Sequence, residues 1–172
     1  MKKKIIIGSR GSKLALIYAE RAKIELLRNS LIESVEIKNI TTVGDTITEE
    51  RVSEHGGKGV FCKAIEQELL SRNIDIAVHA LKDMPIDETE GLLTNCFLER
   101  NNPREILISN NNKNIKELKL NAVVGTSSFR REFQLKNLRK DLNCKLIRGN
   151  VDTRIKKLNE NLYDAIILSY AG

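Results

Sequence analysis

Short apolar stretches alternate with amphipathic stretches along most of this sequence, and the alternation limits the folds that the chain can adopt. The stretch KKIIIGS at residues 3–9 is typical of a buried strand, and residues 12–29 place apolar side chains on one helical face. Strands are predicted at residues 3–9, 35–42, 74–81, 122–128, 144–150 and 164–170, and helices at 12–29, 60–70, 128–140 and 151–160. Strands that alternate with helices predict an α/β fold with mostly parallel sheet.

Two breaks in this pattern divide the chain. Residues 42–59 show neither the helical nor the strand period and contain GGKG, so they predict a long mobile loop. An Asn-rich stretch with a proline predicts a crossing between two lobes at residues 100–104. We therefore predict a first lobe at residues 1–99 and a second lobe at residues 105–172.

One local pattern occurs in both lobes. IIIGSRGSKLALIYAERAKIEL and AVVGTSSFRREFQLKNLRK each run from a strand through glycine, hydroxyl residues and arginine into a helix. The first turn of a helix presents unpaired N–H groups and the positive end of the helix dipole, which suit a carboxylate or phosphate. For either copy alone, Ser12 or Ser128 fits equally well as a simple helix N-cap. The repetition favours two similar lobes that face each other across an anion-binding cleft.

The net charge of +6 is unevenly distributed. Residues 1–100 hold 15 Lys/Arg and 16 Asp/Glu, whereas residues 101–172 hold 14 and 7. A basic second part indicates an anionic partner, which could be nucleic acid, a membrane surface, or a small polycarboxylate or phosphate. Only 4% of residues are aromatic and none is tryptophan, which disfavours stacking on single-stranded nucleic acid.

Four arginines make the small-anion interpretation more specific. Arg130 and Arg131 fall in the first turn of a predicted helix, where a cation opposes the helix dipole and needs a counter-ion. Arg148 lies near the carboxyl end of a predicted strand, and Arg154 lies in the first turn of the next helix. All four therefore belong near the carboxyl edge of a sheet, where α/β proteins bind ligands. The competing interpretation is a set of solvated surface charges.

Other motifs are excluded. GGKG lacks the first glycine and the Ser/Thr of a P-loop, and the sequence contains no GxGxxG. The only histidines are His55 and His79, too few for a histidine metal site, and His79 is interpreted as a hydrogen-bonded core residue. Three scattered cysteines without a CxxC indicate reduced thiols. The apolar run in MKKKIIIGSR is too short for a signal peptide or a membrane span, so we expect a soluble cytoplasmic chain.

The motifs SRGSKLALIYA, GGKGVFCKAIEQELL, DIAVHALKDMP, GTSSFRREFQL, RGNVDTRIKKL and YDAIILSYAG, in that order, resemble the porphobilinogen deaminases, also called hydroxymethylbilane synthases. The resemblance implies two periplasmic-binding-protein-like lobes with mixed, mostly parallel sheets. It implies the condensation of four porphobilinogen units, with loss of ammonia, into the linear tetrapyrrole of haem biosynthesis. It also implies porphobilinogen and oligopyrrole polycarboxylates as partners of a monomer that binds neither nucleic acid nor a membrane.

The resemblance also assigns roles to residues, and none of these roles needs a metal. Asp83 matches the catalytic aspartate of the family, although a Lys-Asp turn before Pro85 explains the same letters structurally. The positions that match substrate- and cofactor-binding residues are Arg10, Ser12, Lys58, Lys82, Thr126, Ser127, Ser128, Arg130, Arg131, Arg148 and Arg154. Lys58 lies on the stretch that resembles the mobile loop of the family.

The sequence departs from the family pattern in its extent. The resemblance covers roughly the first half of the usual family length, so we expect incomplete lobes and no third domain. In the family, a dipyrromethane cofactor is attached to a cysteine of that third domain, and Cys62, Cys96 and Cys144 do not match it. We therefore expect no turnover by this chain alone. A non-catalytic two-lobe module for polycarboxylate anions and a nucleic-acid-binding protein remain alternatives.

Overall fold

The structure is a computed structural model that describes residues 3–46 and 57–171, with the side chains of residues 57 and 58 excluded. The chain divides into two compact units, Met1–Leu98 and Glu99–Gly172. Each unit is an open sheet flanked by helices, with parallel pairing in the first and mixed pairing in the second. The predicted α/β fold class with mixed, mostly parallel sheets is therefore confirmed.

The first unit is built on a parallel sheet. Its described elements are strands β1 (Lys3–Ser9), β2 (Ile32–Asn39) and β3 (Ile76–Ala77), helices α1 (Lys13–Leu27), α2 (Val43–Thr46) and α3 (Lys63–Leu70), and 3₁₀ turns at Gly57–Phe61 and Leu81–Asp83. The strand order is β2-β1-β3, and β1 pairs in parallel with both neighbours. The residues that follow β1 and β3 therefore leave the sheet at the same carboxyl edge.

Strand β1 buries side chains on both of its faces. Ile7 is fully buried and packs with Ala19 of α1, whereas Ile6 packs with the buried Ile65 of α3. Successive strand residues point to opposite faces, so helices cover the sheet on both sides. This arrangement explains why the strand is a continuous isoleucine run and does not alternate with polar residues.

The second unit is built on a mixed sheet. Its described elements are strands β4 (Glu105–Ser109), β5 (Val123–Gly125), β6 (Asn143–Lys145) and β7 (Ala165–Ser169), helices α4 (Phe129–Leu138) and α5 (Val151–Asn159), and a 3₁₀ turn at Asn110–Asn112. The order is β4-β7-β5-β6, with β4 antiparallel to β7 and the other pairs parallel. The residues after β5 and β6 therefore also share one carboxyl edge.

Strand β7 supplies both halves of the second core. Ala165 and Ile167 belong to the cluster that contains Leu135 of α4, and Ile166 belongs to the cluster that contains Leu158 of α5. All of these side chains are buried. The second unit therefore repeats the plan of the first, with one central strand covered by a helix on each face.

In the first unit, one predicted strand and the predicted loop differ from the structure in extent. The predicted strand at residues 74–81 is reduced to Ile76–Ala77, because the backbone turns after Ala80 and forms a 3₁₀ turn at Leu81–Asp83. The N–H of Asp83 donates to the carbonyl of Ala80 at 2.9 Å, which replaces a sheet hydrogen bond by a local one. The predicted loop at residues 42–59 has helical turns at both ends, in α2 and at Gly57–Phe61, and residues 47–56 lie outside the described residues.

The second unit contains a strand that the sequence pattern did not predict. Strand β4 follows the proposed crossing, and its residues Ile106 to Ile108 pair antiparallel with Leu168 to Ile166 of β7. This short apolar run is flanked by Asn-rich segments on both sides. Because Asn favours turns, the pattern around the run predicted a connection and not a strand. Strands β5 and β6 end sooner than predicted, at Gly125 and Lys145, so more of each βα connection is available at the carboxyl edge.

Helix α5 depends on an asparagine cap. The Oδ1 atom of Asn150 accepts hydrogen bonds from the N–H and the hydroxyl of Thr153, at 3.1 and 2.8 Å. Replacing Asn150 by alanine leaves that N–H without its partner and should lower the free energy of unfolding by about 1 kcal/mol. Chemical denaturation followed by circular dichroism measures the loss. Asn159→Ala, at the far end of the same helix, is the control, and equal losses in the two variants would contradict the capping role.

Candidate functional site

Three hydroxyl residues follow β5 at the carboxyl edge of the second sheet. The hydroxyl of Ser127 donates to the carbonyl of Ile147 at 2.8 Å, and the buried Thr126 accepts from the N–H of Ser128 at 3.2 Å. The hydroxyl of Ser128 accepts from the N–H of Arg131 at 3.4 Å, so Ser128 is the N-cap of α4. These bonds fix the βα turn and define where the first turn of α4 begins.

Three arginines gather at the same edge. Arg131 comes from the first turn of α4, with 13% of its side chain exposed, and Arg154 from the first turn of α5. Arg148, in the connection after β6, is half-buried. Burial and then the like charges of Arg148 and Arg131 lower the pKa of Arg154 to about 10. The mutual repulsion of these cations is the electrostatic signature of a site that favours an anion.

An internal carboxylate holds part of this cluster. Glu105, at the start of β4, forms ion pairs with Arg130 at 2.7 Å and with Arg131 at 2.6 Å. Arg131 also donates to the carbonyl of Ile167 at 3.1 Å. Burial acts to raise the pKa of Glu105, but the hydrogen bonds and charges of the two arginines outweigh it, and the net pKa is lowered. The counter-ion that the sequence demanded for Arg130 and Arg131 is thus provided within the unit, and Arg130 itself is exposed.

The first unit presents an analogous arrangement after β1. The guanidinium of Arg10 lies over the ring of Phe61, 4.2 Å from its centroid, and bonds to the carboxylate of Asp45 through Nε at 3.0 Å and through a second nitrogen. Asp45 also accepts from the hydroxyl of the buried Thr42 at 2.7 Å. Ser12 is the N-cap of α1 and accepts from the N–H of its third following residue. Arg10 is therefore held by an aspartate and an aromatic ring at the sheet edge.

This pairing predicts a pH-dependent contribution to stability. Burial would raise the pKa of Asp45, but hydrogen bonds from Arg10 and Thr42 bring it below its ordinary value of 3.8. Because the folded pKa is lowered, the contribution is complete above about pH 4 and is lost as the pH falls through the folded pKa. Arg10→Met should cost about 1 kcal/mol at neutral pH, after allowance for solvent screening.

Carbon-detected NMR titration of the Asp45 carboxyl measures the same effect directly. Its pKa should rise in Arg10→Met, since burial is then opposed by Thr42 alone. Arg28→Met is a suitable control, because Arg28 pairs with Glu25 on exposed α1 surface, remote in sequence from Asp45. An unchanged titration of Asp45 in Arg10→Met would show that the pair contributes nothing.

Lys82 and Asp83 lie on the 3₁₀ turn that follows β3. Since Val78 still bonds to the carbonyl of Gly8 in β1, at 3.0 Å, this segment leaves the sheet beside the end of β1. Lys82 is exposed and Asp83 is half-buried. Asp83 and Arg10 both act on the pKa of His79, so they share one electrostatic environment within the unit. A turn beyond the end of β3, and not the strand itself, therefore presents both side chains.

A buried thiol and an imidazole lie beneath this turn. The Sγ atom of Cys62 is 3.5 Å from the carbonyl oxygen of Asp83, and burial, with the charges of Glu66 and Asp83, raises its pKa to about 11. Burial lowers the pKa of His79, so its ring is neutral near pH 7. The Nε2 atom of His79 is buried without a hydrogen-bond partner among the described residues. The interpretation of His79 as a fully hydrogen-bonded core residue is therefore wrong.

The sequence analysis did not find the residues that contact the arginines of the candidate site, and one candidate side chain lies outside the described residues. Asp45 and Glu105 were not singled out, because an acidic residue 35 or 25 positions from its arginine leaves no periodic signal. The contact between Phe61 and Arg10 likewise corresponds to no sequence motif. The side chain of Lys58 is outside the described residues, so its assignment stays a prediction.

The two sheets define an α/β protein whose arginine side chains lie where the parallel strands end. In the described part of the chain, no helix combines the length and apolar character needed to span a bilayer. Residues 5–172 match the family model "Porphobilinogen deaminase, dipyromethane cofactor binding domain". The chain belongs to the porphobilinogen deaminase family, which confirms the resemblance seen in its motifs.

Curated relatives agree with this assignment. The chain is 49% identical over 170 residues to a porphobilinogen deaminase of Bacillus cereus (strain B4264) and to one of Bacillus thuringiensis (strain Al Hakam). Each alignment covers 99% of this chain and 55% of the relative. The chain therefore spans about half the length of the curated relatives that it matches.

Proposed function

We propose that this chain supplies the catalytic aspartate and the carboxylate-binding edges of a porphobilinogen deaminase. The reaction joins four porphobilinogen units into hydroxymethylbilane and releases one ammonia for each unit. Each porphobilinogen carries two carboxylates, so the growing product is a polyanion. The observation that carries the proposal is the grouping of Arg131, Arg148 and Arg154 at one sheet edge, where burial and then the charges of Arg148 and Arg131 lower the pKa of Arg154.

The cluster suits a polycarboxylate for a physical reason. Like charges that are partly withdrawn from water raise each other's energy, and an anion bound among them removes that cost. Guanidinium groups also bind carboxylates through two parallel hydrogen bonds, which fixes orientation as well as charge. We assign the same role to Arg10, Lys82, Arg130 and, by motif alone, Lys58. Ser12, Thr126, Ser127 and Ser128 set the helix starts from which backbone N–H groups can add to the binding.

The cofactor of the family fits the same donor set. Dipyrromethane is built from two porphobilinogen units and therefore brings several carboxylates, for which the three arginines and the first turns of α4 and α5 are chemically suited. When bound, it supplies the primer to which further units are added. The residues of this chain would hold and orient its carboxylates, with Arg131 positioned through its bond to the carbonyl of Ile167.

Asp83 is assigned the chemical role. A carboxylate near the substrate ring stabilises the positive charge that develops as ammonia leaves, and a fixed, half-buried group does so without reorganisation. The same carboxylate can accept and return a proton as the new carbon–carbon bond forms. The hydrogen bond of its own N–H to Ala80 and the buried thiol beneath it hold the turn in place.

Complementation tests the proposal. The purified chain is mixed with a fragment that carries the remaining part of the Bacillus cereus relative, and ammonia release from porphobilinogen is measured. Release by the mixture, with none from either part alone, is the expected result. A folded, soluble pair that binds porphobilinogen carboxylates but releases no ammonia would instead favour the non-catalytic binding module.

The proposal also includes the setting of the protein. We infer a cytoplasmic monomer without nucleic-acid or membrane partners, supported by membership of the porphobilinogen deaminase family and by the scarcity of aromatic residues. Sedimentation analysis measures the oligomeric state. Tight binding of single-stranded DNA at physiological salt, with a steep salt dependence, would contradict this part of the proposal.

A further inference from the structure

Two sulfur atoms and an imidazole converge in the first unit, beneath the turn that carries Lys82 and Asp83. Cys62 lies between the Gly57–Phe61 turn and α3 and is fully buried. Its Sγ atom is 3.6 Å from Sδ of Met84 and 4.0 Å from Nδ1 of His79. The cluster therefore joins a residue at the start of a helix with two residues that flank the turn.

The two distances from the Sγ atom of Cys62 match those between ligands of one metal ion. Metal–sulfur bonds of about 2.3 Å and metal–nitrogen bonds of about 2.0 Å, at trigonal angles, place two sulfurs about 4.0 Å apart and a sulfur and a nitrogen about 3.7 Å apart. The observed separations of 3.6 and 4.0 Å differ from these values by only a few tenths of an ångström. Both separations from the Sγ atom of Cys62 are therefore compatible with ligation of one ion.

The chemistry of the three ligands selects the class of metal. Thiolate and thioether sulfur favour soft ions such as Cu(I), and imidazole accepts copper readily. The described residues contain no group of three or more His, Cys, Asp or Glu suited to a metal, so the usual ligand set for zinc or calcium is missing from that part of the chain. Met84 completes the set here, and only a soft ion gains much from a thioether.

We propose that Cys62, His79 and Met84 form a binding site for a single Cu(I) ion. The metal forms bonds to both sulfurs and to Nδ1, and the thiol proton of Cys62 leaves to solvent. Met84 is half-buried, whereas Cys62 is fully buried. In the Cu(I)-bound form, Cys62 has no proton to donate to the carbonyl of Asp83. The bond from the ion to the neighbouring Met84 then holds this segment in place of that hydrogen bond. The site does not depend on the deaminase function and can be tested without turnover.

Anaerobic titration of the whole chain with Cu(I), in competition with a chromophoric Cu(I) chelator, tests the site. One equivalent should bind to the wild-type chain. Met84→Leu conserves volume and fold, and it should weaken binding at least tenfold. The Cys62→Ala variant should no longer take Cu(I) from the chelator. Circular dichroism of each variant verifies that it remains folded.

Cysteine controls distinguish this site from adventitious thiol binding. Cys96 is exposed, and Cys96→Ser should leave the Cu(I) affinity unchanged. The proposal is overturned if the folded wild-type chain takes up no Cu(I). It is equally overturned if Met84→Leu binds as tightly as wild type, or if Cys96→Ser removes the bound equivalent.

Discussion

Replacing Asp83 by asparagine should reduce ammonia release at least ~10²-fold in the chain complemented by the remaining part of the Bacillus cereus relative. Asparagine keeps the size of the side chain and the turn bond from its N–H to Ala80, but it removes the negative charge and the proton acceptor. Binding of porphobilinogen should change little, since the carboxylates of the substrate are held by cations. Steady-state kinetics should therefore show the loss in kcat and not in KM.

A neighbouring carboxylate provides the matched control for this effect. Asp87 is exposed, a few residues beyond the same turn, and Asp87→Asn removes the same charge without touching the proposed centre. Its rate should stay within about twofold of wild type, because charges in solvent are strongly screened. A rate for Asp83→Asn within the same range would refute the catalytic assignment while leaving the carboxylate-binding assignment intact.

Ile166→Ala should be the most damaging core substitution in the second unit. Ile166 is fully buried in β7 and packs in the cluster that contains Ile147 and Leu158. Truncation to alanine removes three carbons and leaves a cavity between the sheet and α5, at a cost of about 2–5 kcal/mol. Domains have total stabilities of only about 5–15 kcal/mol, so this loss is a large fraction of the free energy of unfolding.

Urea denaturation followed by circular dichroism measures the loss, with Leu162→Ala as the control. Leu162 is an aliphatic residue of the same unit with 58% of its surface exposed, and its truncation should cost less than about 0.5 kcal/mol. Similar midpoints for the two variants would mean that β7 is not the centre of the core.

The parts of the fold that follow from apolar periodicity could be predicted. The parts in which local turn hydrogen bonds compete with strand formation could not. Strand β1 was predicted with its observed bounds, and α1 within two residues, because long apolar patterns have few alternatives. β3 was overestimated, since VHAL has strand propensity but turn bonds at Ala80 and Leu81 end it early. β4 was missed because turn-forming Asn residues surround its short apolar run.

The candidate site divides in the same way. Residues at strand ends, such as Arg148, could be predicted because the edge of a parallel sheet collects them. Their partners could not, because Asp45 and Glu105 meet their arginines only after folding. The excess of Lys and Arg shows that counter-ions are needed, but it does not show which carboxylates supply them. The cluster around Cys62 was equally invisible, since its members come from separate segments.

The position of β7 within its sheet has a consequence for synthesis on the ribosome. β4 is made roughly sixty residues before β7, yet β7 is its hydrogen-bonded neighbour and separates it from β5. Until residues 165–169 emerge from the exit tunnel, β4 has no strand to pair with. Both halves of the second core also lack their central strand until then. Such long-range pairing slows folding and prolongs the exposure of apolar edges. A nascent chain stalled shortly before Ala165 should therefore be markedly more sensitive to protease, and more dependent on chaperones, than one stalled after β7 has emerged.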